Sequence, residues 1–236
     1  MAPFVLRYSS AALLAATLAG CSTNTTLDVN DRSVFIPSAR VSVPLSRQQE
    51  APSEPQNGHA LEFGYTQAKG SGSQSLSAGQ DPIVFGARTF NPPRELQYEF
   101  DYRHAELHYR WRRFFGASAN LGIEVLGGLA HSQLQLSASS PGQSASDRFS
   151  SSGISGGFGG IWKVRQTTSL QMRFSAFGAS ETRGNRTELF AVQALGGNAA
   201  IRGGYTWWRV RTYAEPFDPD VAVRFSGPAV SLDVMF

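Results

Sequence analysis

Cysteine is nearly missing. Cys21 is the only one in 236 residues, which excludes a disulfide framework and a cysteine-built zinc site. Lysine is almost as scarce, with Lys69 and Lys163 alone beside 19 arginines and 18 acidic residues. The net charge of +3 is small and dispersed, so nucleic acid is not an expected partner. Charged residues make up only 17%, below the usual quarter. No stretch after the first 21 residues approaches the ~18 apolar residues of a membrane-spanning helix. What is present is apolar surface, 41% of residues, too much for a disordered chain, together with abundant glycine.

Residues 1–20 read as an export signal. Arg7 precedes the apolar run Ala11–Gly20, which at ten residues is half of the ~20 that span a bilayer. The tetrapeptide Leu18-Ala19-Gly20-Cys21 resembles the lipobox of bacterial lipoproteins. That resemblance implies cleavage before Cys21 and a lipid on its sulfur. With Ser22 rather than an inner-membrane retention Asp, it also implies delivery to the outer membrane of a Gram-negative cell. Residues 21–58 then read as a lipid-anchored periplasmic tether, largely disordered. They are rich in Ser, Thr, Asn, Gln and Pro and short of apolar surface. Val34-Phe35-Ile36 or Val41-Ser42-Val43 could dock as a short strand.

From His59 to Phe236 apolar and polar residues alternate with the period of a strand. Eight strands are expected. They are centred on Leu61–Tyr65, Leu107–Trp111, Leu121–Val125, Ile154–Val164, Leu170–Phe174, Phe190–Val192, Ile201–Trp207 and Val230–Phe236. Connections near 70–94, 139–151, 180–187 and 214–220 are long or moderate; those near 112–118, 165–168 and 196–198 are short. The alternation slips phase near His104 and Pro228, where bulges are expected. Gly-rich stretches such as Gly156–Gly160 read as curvature.

Short turns gathered at one end are the pattern of an outer-membrane barrel. Trp111, Phe114, Phe115, Trp162, Trp207 and Trp208 lie near strand ends as interfacial girdles do. The ending Val230, Leu232, Val234, Phe236 resembles the C-terminal assembly signal of outer-membrane barrels. The body resembles the small eight-stranded OmpA/OmpX-type barrels, which generally lack a lipobox. The expected fold is therefore an all-β, eight-stranded antiparallel up-and-down transmembrane β-barrel over 59–236. An even strand count returns both termini to the periplasm. With the polar face inward, Glu62, Glu106, Glu124 and Asp233 meet Arg110, Lys163, Arg173 and Arg202, with His108 nearby. Eight strands leave just enough room for side chains, so these charges are expected to pair and plug the barrel.

Catalytic and metal sites are not expected. His104 and His108 are four residues apart on a strand, roughly 13 Å, too far to share one ion. His131 and Ser132 point to opposite faces, although His131 and Ser175 could converge across strands. Gly153–Gly160 has no phosphate-loop spacing. Of the loops, 70–95 with Phe85, Phe90, Pro92 and Pro93, and the Ser-rich 139–151, are either solvated or a partner surface. The function expected is a structural or surface-interaction role in the cell envelope, with no cofactor. Expected partners are outer-membrane lipid and lipopolysaccharide, the barrel-assembly machinery, and a surface or periplasmic protein. A lipid-anchored, lipocalin-like soluble barrel holding an apolar ligand is the alternative, and an outer-membrane lipid-modifying enzyme is third.

Overall fold

The computed structural model describes residues 27–31, 33–45, 57–116, 118–196, 198–213 and 221–236. The expected signal peptide, Cys21 and tether residues 22–26 and 46–56 lie outside the described residues. The chain is all β. Its strands are β1 (Leu27–Asp31), β2 (Ile36–Pro44), β3 (Gly58–Leu76), β4 (Ile83–Phe85), β5 (Arg88–Phe90) and β6 (Arg94–Phe115). They continue as β7 (Leu121–Ser140), β8 (Gln143–Arg165), β9 (Thr168–Gly178), β10 (Thr182–Ala194), β11 (Ala199–Thr212) and β12 (Val221–Met235).

Apart from the β4–β5 hairpin, the strands form one large, mostly antiparallel sheet. β2 pairs antiparallel with β3 and parallel with β12, Ile36 opposite Ala229 and Ser42 opposite Met235. The pairing therefore runs from β2 through β3 and β6–β12 and returns to β2. β1 extends the parallel seam, with Leu27 opposite Val221. The circuit holds nine strands, not eight: the ninth is the segment expected to be a disordered tether. Left alone, the facing edges of β3 and β12 would carry unpaired backbone groups, and β2 satisfies both.

This seam has a consequence for the ends. β1 and β2 run in the same direction as β12, so Leu27 lies with Val221 while Phe236 lies at the opposite end. The expectation that the chain enters and leaves at the same side does not hold for these residues. The connections 116–120, 166–167 and 195–198 share the end of Phe236, called here the turn end. Connections 77–93, 141–142 and 179–181 share the other, the loop end, where Thr212 also lies opposite Val221. The expected 139–151 loop is instead strand: β7 and β8 pair out to Ser140 and Gln143. They reverse at Pro141-Gly142, where Gly142 takes φ +83°, a left-handed conformation that glycine adopts without strain.

No bulge occurs at His104, and none on the β11 side of Pro228; on its other edge β12 shifts by one residue, from Phe225 opposite Asp31 to Ala229 opposite Ile36. His104 pairs with Thr66 and Ser132, and Pro228 with Tyr205, in unbroken register. Another register shift lies between β8 and β9, at Lys163/Arg165. What changes along β6 is the polarity of each face. Its inward residues Leu96, Tyr98, Phe100 and Tyr102 are followed by His104, Glu106, His108 and Arg110, all buried. Its outward residues Glu95, Gln97, Glu99 and Arg103 are followed by Leu107 and Tyr109, both exposed. On β12, Val221, Val223 and Phe225 are buried, whereas Val230 and Leu232 are exposed. A true slip by one residue would turn every side chain to the other face. Here each side chain keeps its face and the two faces exchange character.

The loop-end interior is an apolar cluster including Leu96, Phe100, Tyr102, Leu136, Trp208 and Phe225. The β4–β5 hairpin packs on it through Ile83, Phe85 and Phe90, all buried. Gly86 and Ala87 both take positive φ, as a two-residue type I′ hairpin requires. Phe85 and Phe90 thus belong to this protein's own core rather than to a partner surface. Of the expected girdle, Trp162, Trp207 and Phe115 are exposed, but Phe114 and Trp208 are buried, because each follows or precedes an outward residue on its strand. Phe190 and Val192 are likewise buried, leaving Leu189 as the exposed apolar residue of β10.

Candidate functional site

The turn-end half of the interior is charged. An unbroken ladder of alternating charge crosses it. Arg112 Nη2 lies 3.0 Å from Glu124, and Glu124 is 2.8 Å from Arg173 Nε. Arg173 Nη1 meets Glu62 at 2.5 Å, and Glu62 is 3.8 Å from Arg40. Arg40 meets Glu188 at 2.7 Å, and Glu188 is 3.7 Å from Arg186. Arg186 is 2.7 Å from Glu106, whose other oxygen is 3.4 Å from His104 Nε2. Arg110 adds a second guanidinium to Glu62 at 3.3 Å. Every one of these side chains is at most 7% exposed. Burying single charges costs several kcal/mol each, and only mutual pairing with good hydrogen bonds offsets it.

Glycines make room for the ladder. A Cβ on Gly64 would sit 2.9 Å from Glu106 Oε1, and one on Gly159 2.8 Å from Glu124 Oε1. Gly159, read from the sequence as curvature, therefore also accommodates a carboxylate. The ladder joins β2, β3, β6, β7, β9 and β10, so residues up to 148 apart in sequence are held together.

Of the residues expected in this network, Glu62, Glu106, Arg110, Glu124 and Arg173 lie in the ladder. Arg202 is buried at the turn end, 3.6 Å from Asp233, and stacks over Phe190. His108 is buried with Nε2 2.9 Å from Ser155 Oγ. Lys163 lies over the Phe114 ring at 4.4 Å. Sequence reasoning missed Arg40, His104, Arg112, Arg186 and Glu188. Arg40 sat in the supposed tether, while Arg112 and Arg186 sat in supposed connections. The signal that could have found Arg112 is its even spacing with Arg110; Arg186 and Glu188 share a face with Phe190 and Val192, which are buried too, so the apolar residues of that strand pointed away from them.

Glu62, Glu106 and His108 bring ligand atoms within 4.8 Å of one another. Both carboxylates are already held by guanidinium groups, so a cation there would have to displace arginine, and the trio reads as part of the ion-pair ladder. His131 and Ser175 do not converge. Ser175 is inward and accepts from Arg186 Nε at 3.2 Å. His131 is outward, its two ring nitrogens facing Ser152 Oγ at 2.8 Å and Ser150 Oγ at 3.4 Å.

The outer face is ordered in rows set by the register. Phe63, Leu107, Leu129 and Ile154 lie side by side on β3, β6, β7 and β8. The next row toward the loop end is Tyr65, Ala105, His131 and Ser152, then Gln67, Arg103, Gln133 and Ser150, then Lys69, Asp101, Gln135 and Arg148. Within about three rows an apolar surface becomes a polar one. Asp101 accepts from Arg103 and Gln67 and pairs with Lys69 at 3.3 Å. Partial burial would raise its carboxyl pKa, and these partners outweigh it and hold it below the ordinary value. Below the boundary row exposed apolar side chains go right round the circuit: Val43, Phe63, Leu107, Leu129, Phe158, Met172, Leu189, Ile201 and Leu232, one from each strand. The C-terminal residues Val230, Leu232 and Phe236 lie on this exposed face, and Val234 is half-buried. Compared with family models, with curated proteins and with solved structures, the chain matches none.

Proposed function

We propose that this chain is an integral outer-membrane β-barrel of nine strands with a structural or surface-interaction role in the Gram-negative envelope. The observation that carries the reading is the exchange of polarity between the two faces of continuous strands. A water-soluble barrel keeps an apolar interior along its whole length. A strand passing from water into lipid must instead turn its apolar residues outward at the boundary. The apolar band supports this reading in extent as well as position. Outward residues from Leu121 to Leu129 on β7 cover nine positions, within the ~9–11 that a tilted strand uses to cross a bilayer.

The loop-end half then stands in water, with polar rows outside and the apolar cluster inside. The turn end, with its short connections and Phe236, is the periplasmic side, as in other outer-membrane barrels. On that orientation Leu27 lies at the cell-surface side. A lipid on Cys21, six residues upstream, belongs in the outer leaflet within about 20 Å of Leu27. The charge ladder and the apolar cluster fill the interior in series, which makes the barrel a filled scaffold rather than a pore. Its solvent-facing rows and loop-end connections are the surface available to a partner or to lipopolysaccharide.

The test is a Cys21→Ala variant carrying a different cleavable signal. Retention in the outer membrane through an alkaline carbonate wash, with heat-modifiable gel migration, is expected. Release into the wash would mean that the lipid is the only anchor and would overturn the integral barrel. Planar-bilayer recordings should show no stable channel; a steady nanosiemens conductance refutes the filled interior.

A further inference from the structure

Beyond the ladder, at the turn end of the interior, lies a cavity of about 40 Å³ whose lining reaches Val234 and Met235, the last residues of β12. Its charged lining is unequal: Arg110, Arg112, Arg173 and Arg202 against Glu62 and Asp233. Counted over the whole interior, six buried arginines face four buried glutamates and the half-buried Asp233 among the described residues, an excess of one positive charge. Arg202 is the least satisfied of them. It is 1% exposed; among the described residues its one carboxylate contact is Nη1 to Asp233 at 3.6 Å, and Nε and Nη2 meet no acceptor. Those two nitrogens form one edge of the guanidinium, the fork that takes two oxygens of a carboxylate or phosphate side by side. A dry guanidinium with its fork empty is costly.

We propose that this cavity binds a small oxyanion, of the phosphate or carboxylate class, on the Nε/Nη2 edge of Arg202. The inference rests on the cavity and its charge and does not depend on what surrounds the outer face. Ser42 and Gln171, also in the lining, supply neutral hydrogen-bonding groups. The room suits a few waters or one small ion; the excess positive charge favours the ion. Asp233 is the internal competitor. Its carboxylate, 27% exposed, sits 3.6 Å from Nη1 on the other edge of the guanidinium, accepts from Ser231 Oγ at 3.1 Å, and offsets the positive charge that an incoming oxyanion would meet.

The experiment uses purified full-length protein, folded in mild detergent, with inorganic phosphate as the probe and chloride at matched ionic strength as the control. Phosphate should shift the unfolding equilibrium toward the folded form in a saturable way, about 100-fold at a phosphate concentration one hundred times its Kd. Arg202→Met should abolish the shift, and Asp233→Asn should lower the phosphate concentration needed for it. Should Arg202→Met fail to fold, the Asp233→Asn titration decides, since loss of a purely structural ion pair cannot increase phosphate sensitivity. An equal response to chloride and phosphate, or no change in Asp233→Asn, would mean that water fills the cavity and overturns the proposal.

Discussion

Arg173→Met probes the ladder at its most connected point. Arg173 is 2% exposed and bridges two carboxylates, Glu124 at 2.8 Å and Glu62 at 2.5 Å. Without it Glu62 keeps Arg110 at 3.3 Å and Arg40 at 3.8 Å, and Glu124 keeps Arg112 at 3.0 Å. Each carboxylate stays buried and loses its best partner. Removing one member of a buried pair typically costs ~3–5 kcal/mol, which lowers the folded-to-unfolded ratio by roughly two to nearly four powers of ten. Methionine roughly fills the vacated space, so most of the loss is electrostatic. The assay is denaturant unfolding of purified protein, followed by loss of the fast-migrating unboiled form. Arg173→Met with Glu124→Gln should cost less than the two single changes added, by ~0.5–3 kcal/mol, because the second change removes a charge the first left unpaired. A loss under ~1 kcal/mol for Arg173→Met, the value of an exposed pair, would show that water reaches the ladder and refute the filled interior.

Three further outcomes follow from the outer face, the seam and the ends. Val125→Arg, at the middle of the apolar band, should destabilise the bilayer-inserted protein by up to ~2–4 kcal/mol, whereas Gln133→Arg, four rows toward the loop end, should cost under ~1 kcal/mol; equal costs would put the boundary elsewhere. Gly227→Val should prevent closure of the parallel seam, since a Cβ there would stand 1.8 Å from the Val34 carbonyl oxygen, and normal heat-modifiable folding of that variant would contradict the β1–β12 arrangement. An epitope placed just before Leu27 should be reached by antibody on intact cells together with one in the 141–142 turn, and an epitope in 116–120 should not. Surface labelling of the 116–120 site with protection of the other two would reverse the orientation.

Much of the fold was legible because alternation is local. Period two is a property of the strand backbone, and in eight places it shows without knowledge of any partner strand. That Glu62, Glu106, Glu124 and Arg173 share the face opposite the apolar residues follows from the same rule; that this face is the interior does not, because a barrel with an apolar interior has the same alternation. Phase changes at His104 and Pro228 were also visible, but a local reading assigns them to bulges, because it holds each face to one environment along the whole strand.

Which strands meet was decided only by the tertiary structure. Residues 27–44 look like a tether in isolation, with Ser33, Pro37, Ser38, Ser42 and Pro44 among them. They become a strand because β3 and β12 leave two edges whose backbone groups need partners. The parallel seam of β1 and β2 on β12 sets Leu27 and Phe236 at opposite ends, and β2 brings Arg40 into the ladder between Glu62 and Glu188. Local sequence determines which side chains share a face. The charge each meets there depends on a register closed by residues more than a hundred positions away, and backbone hydrogen bonding between edges is the force that closes it.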